Sequence, residues 1–129
     1  MRPGPSPARG TSSEPAVEVE ARPGREHGFA AVVKLRGEHD LVTAPEVRAT
    51  IASISGNVLV DLSECAFIDS SVIGALIMTS KELERDGHLL ELFVPAANET
   101  VARTLEVTRI RDLVIVHSAR PLGDDATAS

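Results

Sequence analysis

Three adjacent polar residues, Asp69, Ser70 and Ser71, interrupt the otherwise apolar stretch FIDSSVIGALI at 67–77. Side chains of these types can do two different things there. Asp69 can start a helix by accepting N–H bonds from its first turn, an arrangement worth about 1 kcal/mol. Alternatively, one of the serines is present for chemistry. Capping accounts well for Asp69. It leaves a second and a third polar residue ahead of an apolar helix with no role.

A serine nucleophile needs a base within hydrogen-bond reach and a third group to orient that base. The nucleophile elbow G-x-S-x-G is absent, because Ile68 and Asp69 precede Ser70 and Ser71. The histidines stand at 27, 39, 88 and 117, in no paired spacing. His39 approaches Ser70 only if their two loops adjoin, and it reads as a solvated loop histidine. No His, Cys and Asp cluster has metal-ligand spacing, and no glycine-rich phosphate loop is present. No catalytic residue, metal or other cofactor is assigned, and the chain is expected not to be an enzyme.

The elements that must position Asp69, Ser70 and Ser71 can be read from periodicity. Val17, Val19 and Ala21 alternate with Glu18, Glu20 and Arg22, as in a strand with one wet face. Pro23, Gly24 and Gly28 supply a turn into a second, more buried strand, FAAVVKL, which Gly37 is expected to end. In TAPEVRATIASISG, Thr43 is placed to cap a helix with Glu46 three residues on, a reciprocal capping box. Val47, Ile51 and Ile54 give that helix its apolar stripe.

NVLVDL is a short buried strand, and SECAFID reads as a connection. A helix over 70–86 follows, stopped by Gly87. Its first half is apolar on most sides and must be pressed against a sheet. HLLELFV is the next strand. NETVARTLEVTRI is a helix capped by Asn98 with Val101, Leu105 and Ile110 inward, and LVIVH closes the series.

Two strands followed by helix–strand–helix–strand–helix–strand predict a single α/β domain. It has an N-terminal β-hairpin, then alternating helices and strands, with a mixed sheet packed by helices. Sites in such sheets gather at the carboxyl ends of strands, where GEHDLVT and FIDSS both lie.

Composition narrows the function classes. A chain of 129 residues holds one domain with a real core. Aromatics are 2 %, so Val, Ile, Leu and Ala must build that core, and bases have few rings to stack on. With 13 basic residues against 19 acidic ones and a net charge of −6, no nucleic-acid partner is expected. Cys65 stands alone, so no intrachain disulfide can form, and it reads as a small buried hydrophobe. No apolar run approaches the roughly 20 residues that span a bilayer, so no membrane partner is expected. Residues 1–15, with Pro3, Pro5, Pro7 and Pro15, and residues 119–129 read as flexible tails around a domain at 16–118. A cytoplasmic monomer is the expectation.

The stretch VLVDLSECAFIDSSVIGALIMTSKELERDGHLLEL resembles the anti-sigma factor antagonists, whose fold is the STAS domain. Their pattern runs strand, Asp-Leu-Ser, a few residues, then Phe-Ile-Asp-Ser-Ser-Gly-Leu-Gly before a helix. LRGEHDLVTAPEV is similar to that family's upstream Gly-Glu-x-Asp segment, and PAANETVARTLEVTRIRDLVIV looks like its third helix and last strand. The resemblance covers about residues 17–118. The Asp-Ser-Ser motif is its specific part; each flanking piece alone is weak.

The resemblance implies that Ser70 is phosphorylated by a partner that is both anti-sigma factor and ATPase-like serine kinase. Ser71 is the second choice. The unphosphorylated antagonist captures the anti-sigma factor and frees a sigma factor for transcription. Phosphorylation breaks the capture, and a metal-dependent serine phosphatase restores it. Asp40, Thr43, Asp69, Ser70, Ser71 and Val72 are the partner-binding positions it implies, and Glu38 also matches a family position near the serine. The alternative is a STAS scaffold subunit, never phosphorylated, in a lipid or anion transport complex or another signalling complex.

Two residues depart from the pattern. Val72 stands where the family has Gly, and a branched side chain there is expected to narrow a kinase's access or select a particular kinase. Arg109 replaces a Gly near the end of the third helix, at a cost of about 1 kcal/mol if that position is left-handed. No fourth helix, often present in the family, is read before the chain ends.

Overall fold

Alternation along the central strand organises the computed structural model, which describes residues 14–122. Residues 1–13 and 123–129, which hold most of the two expected tails, lie outside the described residues. In strand β2 (Ala31–His39), Val33, Leu35, Gly37 and His39 are buried, while Lys34, Arg36 and Glu38 face outward to differing degrees. This period of two places one row against the helices and the other on the opposite face.

The order of elements is β1 (Ala16–Ala21), β2, α1 (Ala44–Ala52), β3 (Val58–Asp61), β4 (Cys65–Ile68), α2 (Ser70–Arg85), β5 (Leu90–Phe93), α3 (Glu99–Thr108) and β6 (Ile115–His117). The strands form one mixed sheet in the order β1-β2-β3-β5-β6, with β4 also paired to β2. β1 runs antiparallel to β2, with Val17 opposite Leu35 and Val19 opposite Val33. The other pairings are parallel. The expected hairpin and α/β alternation are both present.

All three helices pack on one face. Val47 and Ile51 of α1, Val72, Ile73 and Leu76 of α2, and Val101 and Leu105 of α3 join Val33, Leu35, Val60 and Leu92 in one core. Ile110, in a 3-10 turn after α3, completes it. The opposite face holds a smaller cluster of Phe29, Val32, Leu59, Phe93 and Leu122. Leu122 is completely buried, so at least this part of the stretch expected to be loose from 119 onward packs against the sheet. It joins Phe29 and Phe93 in that cluster.

Several local expectations are corrected. SECAFID is not merely a connection, for β4 lies within it. Only Cys65 and Ile68 of β4 point inward, while Ala66 and Phe67 are exposed, so the strand carries no alternating signal. Gly37 does not end β2. Its φ of +78° fits a local irregularity, and the register shifts between Gly37 and Glu38 within the pairing of β2 with β4, where Gly37 faces Cys65 and Glu38 faces Phe67. Val19 of β1 is half exposed, so this edge strand is wet beyond one face. Helix α1 ends at Ala52, leaving Ile54 on the loop that follows. Arg109 is left-handed, with φ +61°, and its guanidinium bonds Asp112 at 2.9–3.0 Å. An L-residue there carries a strain of about 1 kcal/mol.

Candidate functional site

The pairing of β2 with β4 sets Glu38 opposite Phe67 and His39 opposite Ile68, which brings the two polar loops together at the carboxyl edge. The Asp69 N–H donates to the His39 carbonyl at 3.3 Å, so the ladder continues to the first residue of the Asp-Ser-Ser motif. Asp69 is itself extended, and α2 begins at the next residue, Ser70.

Asp69 caps this helix. Its Oδ1 accepts from the Ser71 N–H at 2.9 Å and the Val72 N–H at 3.2 Å, while its carbonyl accepts from the Ile73 N–H at 3.0 Å. Side chains leave the first turn in different directions. Ser70 is exposed and Ser71 half-buried, whereas Val72 and Ile73 are sunk in the core. The exposed hydroxyl of Ser70 thus stands on a turn anchored from below.

Val72 was expected to touch a partner and to narrow access to the serine. It is 0 % exposed. Its branched side chain fills space beneath the helix, so it offers a partner no surface and does not screen Ser70.

The neighbouring loop is built around a residue read as solvated. His39 is 0 % exposed and is not a loop residue but the last of β2. Its Nε2 lies 2.9 Å from the Arg36 carbonyl, which can only accept, so Nε2 carries a proton. In the neutral ring, Nδ1 then accepts from the Thr43 hydroxyl at 3.1 Å. Neither nitrogen is turned to Ser70, and the ring serves the loop rather than a nucleophile. The signal for its position was the β2 alternation, which puts His39 on the core face once Gly37 is allowed to continue the strand.

Thr43 follows from His39. Its Oγ1 also accepts from the Asp40 N–H at 3.1 Å and makes no capping bond to α1. The expected capping box with exposed Glu46 therefore does not form at Thr43. Thr43 is turned inward, at 9 % exposure, and contributes chiefly to the loop's shape. Asp40 is exposed, and its Oδ1 accepts from the Val42 N–H at 2.9 Å. This turn holds Leu41 and Val42 outward, at 71 % and 84 % exposure.

The surface next to Ser70 is acidic, with Glu38 and Asp40 exposed and Asp69 half-buried. Beside it, a groove of about 740 Å³ runs between α1 and α2, lined by Leu41, Pro45, Ala49, Ser71, Gly74 and Met78 among others. A bond of 2.6 Å from Arg48 to Glu82 ties the two helices across it. Gly74 forms part of this lining, and a Cβ added there would meet nothing within 4 Å.

A second concavity, about 680 Å³, includes Glu18, Arg36, Ser63, Glu64 and Asn98. The Lys34 ammonium donates to Glu64 at 3.1 Å, and this bond, with the charge of Arg36, holds the Glu64 carboxyl below its usual range. Asn98 caps α3 while its amide donates to the Leu62 and Cys65 carbonyls, so the rim is structural. None of the residues expected to form the site lines it. The Cys65 thiol, pushed up to about 11 by burial, donates to the Phe67 carbonyl at 3.3 Å.

Among the described residues, no group of three His, Cys, Asp or Glu side chains could hold a metal ion. No helix among them is long and apolar enough to cross a membrane.

Comparison with known proteins adds four findings. Residues 24–116 match the family model described as "Mlab, STAS domain". The anti-sigma-B factor antagonist of Staphylococcus aureus is 27 % identical over 89 residues, which is 66 % of this chain and 81 % of that protein. Among solved structures, an anti-sigma factor antagonist from Mycobacterium paratuberculosis superposes with a TM-score of 0.70 at 22 % identity, covering 90 % of this chain and 93 % of its own. The anti-sigma factor antagonist SpoIIAA, in its unphosphorylated form, gives 0.65 at 20 % identity, covering 88 % and 98 %. Identities this low in the two structures speak to the fold.

Proposed function

The chain belongs to the STAS-domain family, and from that premise we propose that it is an anti-sigma factor antagonist switched by phosphorylation of Ser70. The carrying observation is Ser70, exposed where the otherwise buried start of α2 meets the 40–43 loop. The unmodified surface, with Asp40, Asp69, Ser70 and Ser71, captures the anti-sigma factor. That partner, acting as an ATPase-like kinase, transfers the γ-phosphoryl group of ATP to Ser70 Oγ. The bond to the β-phosphate breaks, ADP leaves and the hydroxyl proton is lost. A metal-dependent phosphatase returns the hydroxyl by hydrolysis.

Energetics favour an effect at the interface. A phosphate adds about −1.5 to −2 charges at neutral pH. Shifting an equilibrium from 99:1 to 1:99 needs a differential of about 5.5 kcal/mol. A dianion forced into a desolvated contact beside Asp69 supplies energy of this order, because an ion stripped of water without a partner is heavily penalised. The core beneath Ser70 need not move.

Incubation with candidate anti-sigma kinases and ATP, followed by mass-spectrometric mapping, tests the assignment. Label is expected on Ser70. Ser70→Ala should keep affinity for the anti-sigma factor and abolish release, while Ser70→Asp should fold normally and bind at least tenfold more weakly. Equal affinities for wild type and both variants, or no label from any partner encoded nearby, would point instead to an unphosphorylated STAS scaffold subunit.

A further inference from the structure

We propose that Asp69 keeps a phosphate on Ser70 off the helix beneath it, so that the added charge remains at the surface. This rests on the reading of Ser70 as the modified residue. The first turn of a helix presents N–H groups that have no intrahelical partner, and a nearby phosphate ordinarily takes them. In α2 those of Ser71 and Val72, the two that follow Ser70's own, are already engaged. Asp69 Oδ1 holds the Ser71 and Val72 N–H groups at 2.9 and 3.2 Å, and the Ile73 N–H bonds the Asp69 carbonyl at 3.0 Å.

Asp69 is itself fixed, since its N–H is bonded to the His39 carbonyl at the end of β2. A dianion on the next residue therefore meets a like charge where it would otherwise dock. It is turned outward. With those amides free, the phosphate would fold onto the helix start, where N–H bonds and the helix dipole favour negative charge. The surface shown to a partner would then change less. Asp69 is thus a positioning residue, acting on the phosphate through the amides it occupies.

The experiment installs phosphoserine at position 70 of the full chain during synthesis, which removes any dependence on a kinase. The amide 1H–15N resonances of Ser71 and Val72 are followed through the second ionisation of the phosphate, near pH 6, in wild type, Asp69→Ala and Asp69→Gly. Glycine is tolerated at a helix cap, so a folded variant is retained. Relative to the unphosphorylated chains, both resonances should stay in place in wild type and move downfield with ionisation in the two variants. Resonances that track the phosphate in wild type, or that stay still in all three proteins, overturn the proposal. A purely structural role for Asp69 would move neither resonance with phosphate ionisation. Kinase labelling is read separately: its failure removes the proposed function and leaves the amide shifts to decide this one.

Discussion

Thr43 at the start of α1 and Asp69 at the start of α2 meet through His39, and they aim their side-chain oxygens in opposite directions. Asp69 reaches forward, to the Ser71 and Val72 amides of its own helix. Thr43 reaches back, to the His39 ring and the Asp40 amide of the loop before it. Both are residue types that favour helix caps. What separates them is a buried imidazole with a nitrogen that needs a partner. A hydrogen bond to an exposed helix end competes with water, whereas an unsatisfied buried group has no such substitute. The interior demand prevails over the local one.

This contrast can be broken by substitution, beginning with its source. His39→Ala should lower unfolding free energy in denaturant titration by about 3 kcal/mol, because it opens a cavity and strips the Arg36 carbonyl and Thr43 hydroxyl of a partner. Thr43→Val should lose about 2 kcal/mol by the same measurement, while Thr43→Ser, which keeps the hydroxyl, should lose far less. Asp69→Ala removes only a cap, so a loss of about 1 kcal/mol is expected. If Thr43→Val proves no worse than Asp69→Ala, the distinction between inward and capping roles fails. Arg109→Gly, at the far end of α3, should gain about 1 kcal/mol by relieving the left-handed strain, less the small contribution of its exposed pair with Asp112. Glu46→Ala should cost the least, about 0.3 kcal/mol from the helix dipole alone. A loss as large as that of Asp69→Ala would show a capping box operating in solution.

The legible parts of the fold were those where local and tertiary preferences agree. The helix expected over 70–86 is α2, since Asp69 caps it and Val72, Ile73, Leu76 and Leu83 are buried, with Thr79 and Ser80 buried beside them. Asn98, Val101 and Leu105 stand as expected for the same reason, while Ile110 is buried as expected but beyond the end of α3 at Thr108, which comes earlier than expected. β4 was not legible, because a four-residue strand with two adjacent exposed positions has no periodicity. His39 was hidden by Gly37, which reads as a stop and is instead an irregularity inside a longer strand. Thr43 was misplaced as a consequence. Within the motif, residue types marked only the run Asp69, Ser70 and Ser71, the resemblance singled out Ser70, and neither distinguished its exposure from the burial of Val72 two residues on. That depends on the helix orientation, which only the packed sheet imposes.

The seating of Val72 and Ile73 in the core has a consequence for timing. With Val72 and Ile73 buried at the root of α2, a change at residue 70 requires no repacking of the core. On the proposed reading, the duration of the on and off states is set by how fast a bond to oxygen is made and hydrolysed. The domain itself keeps no memory of its past once that bond is gone.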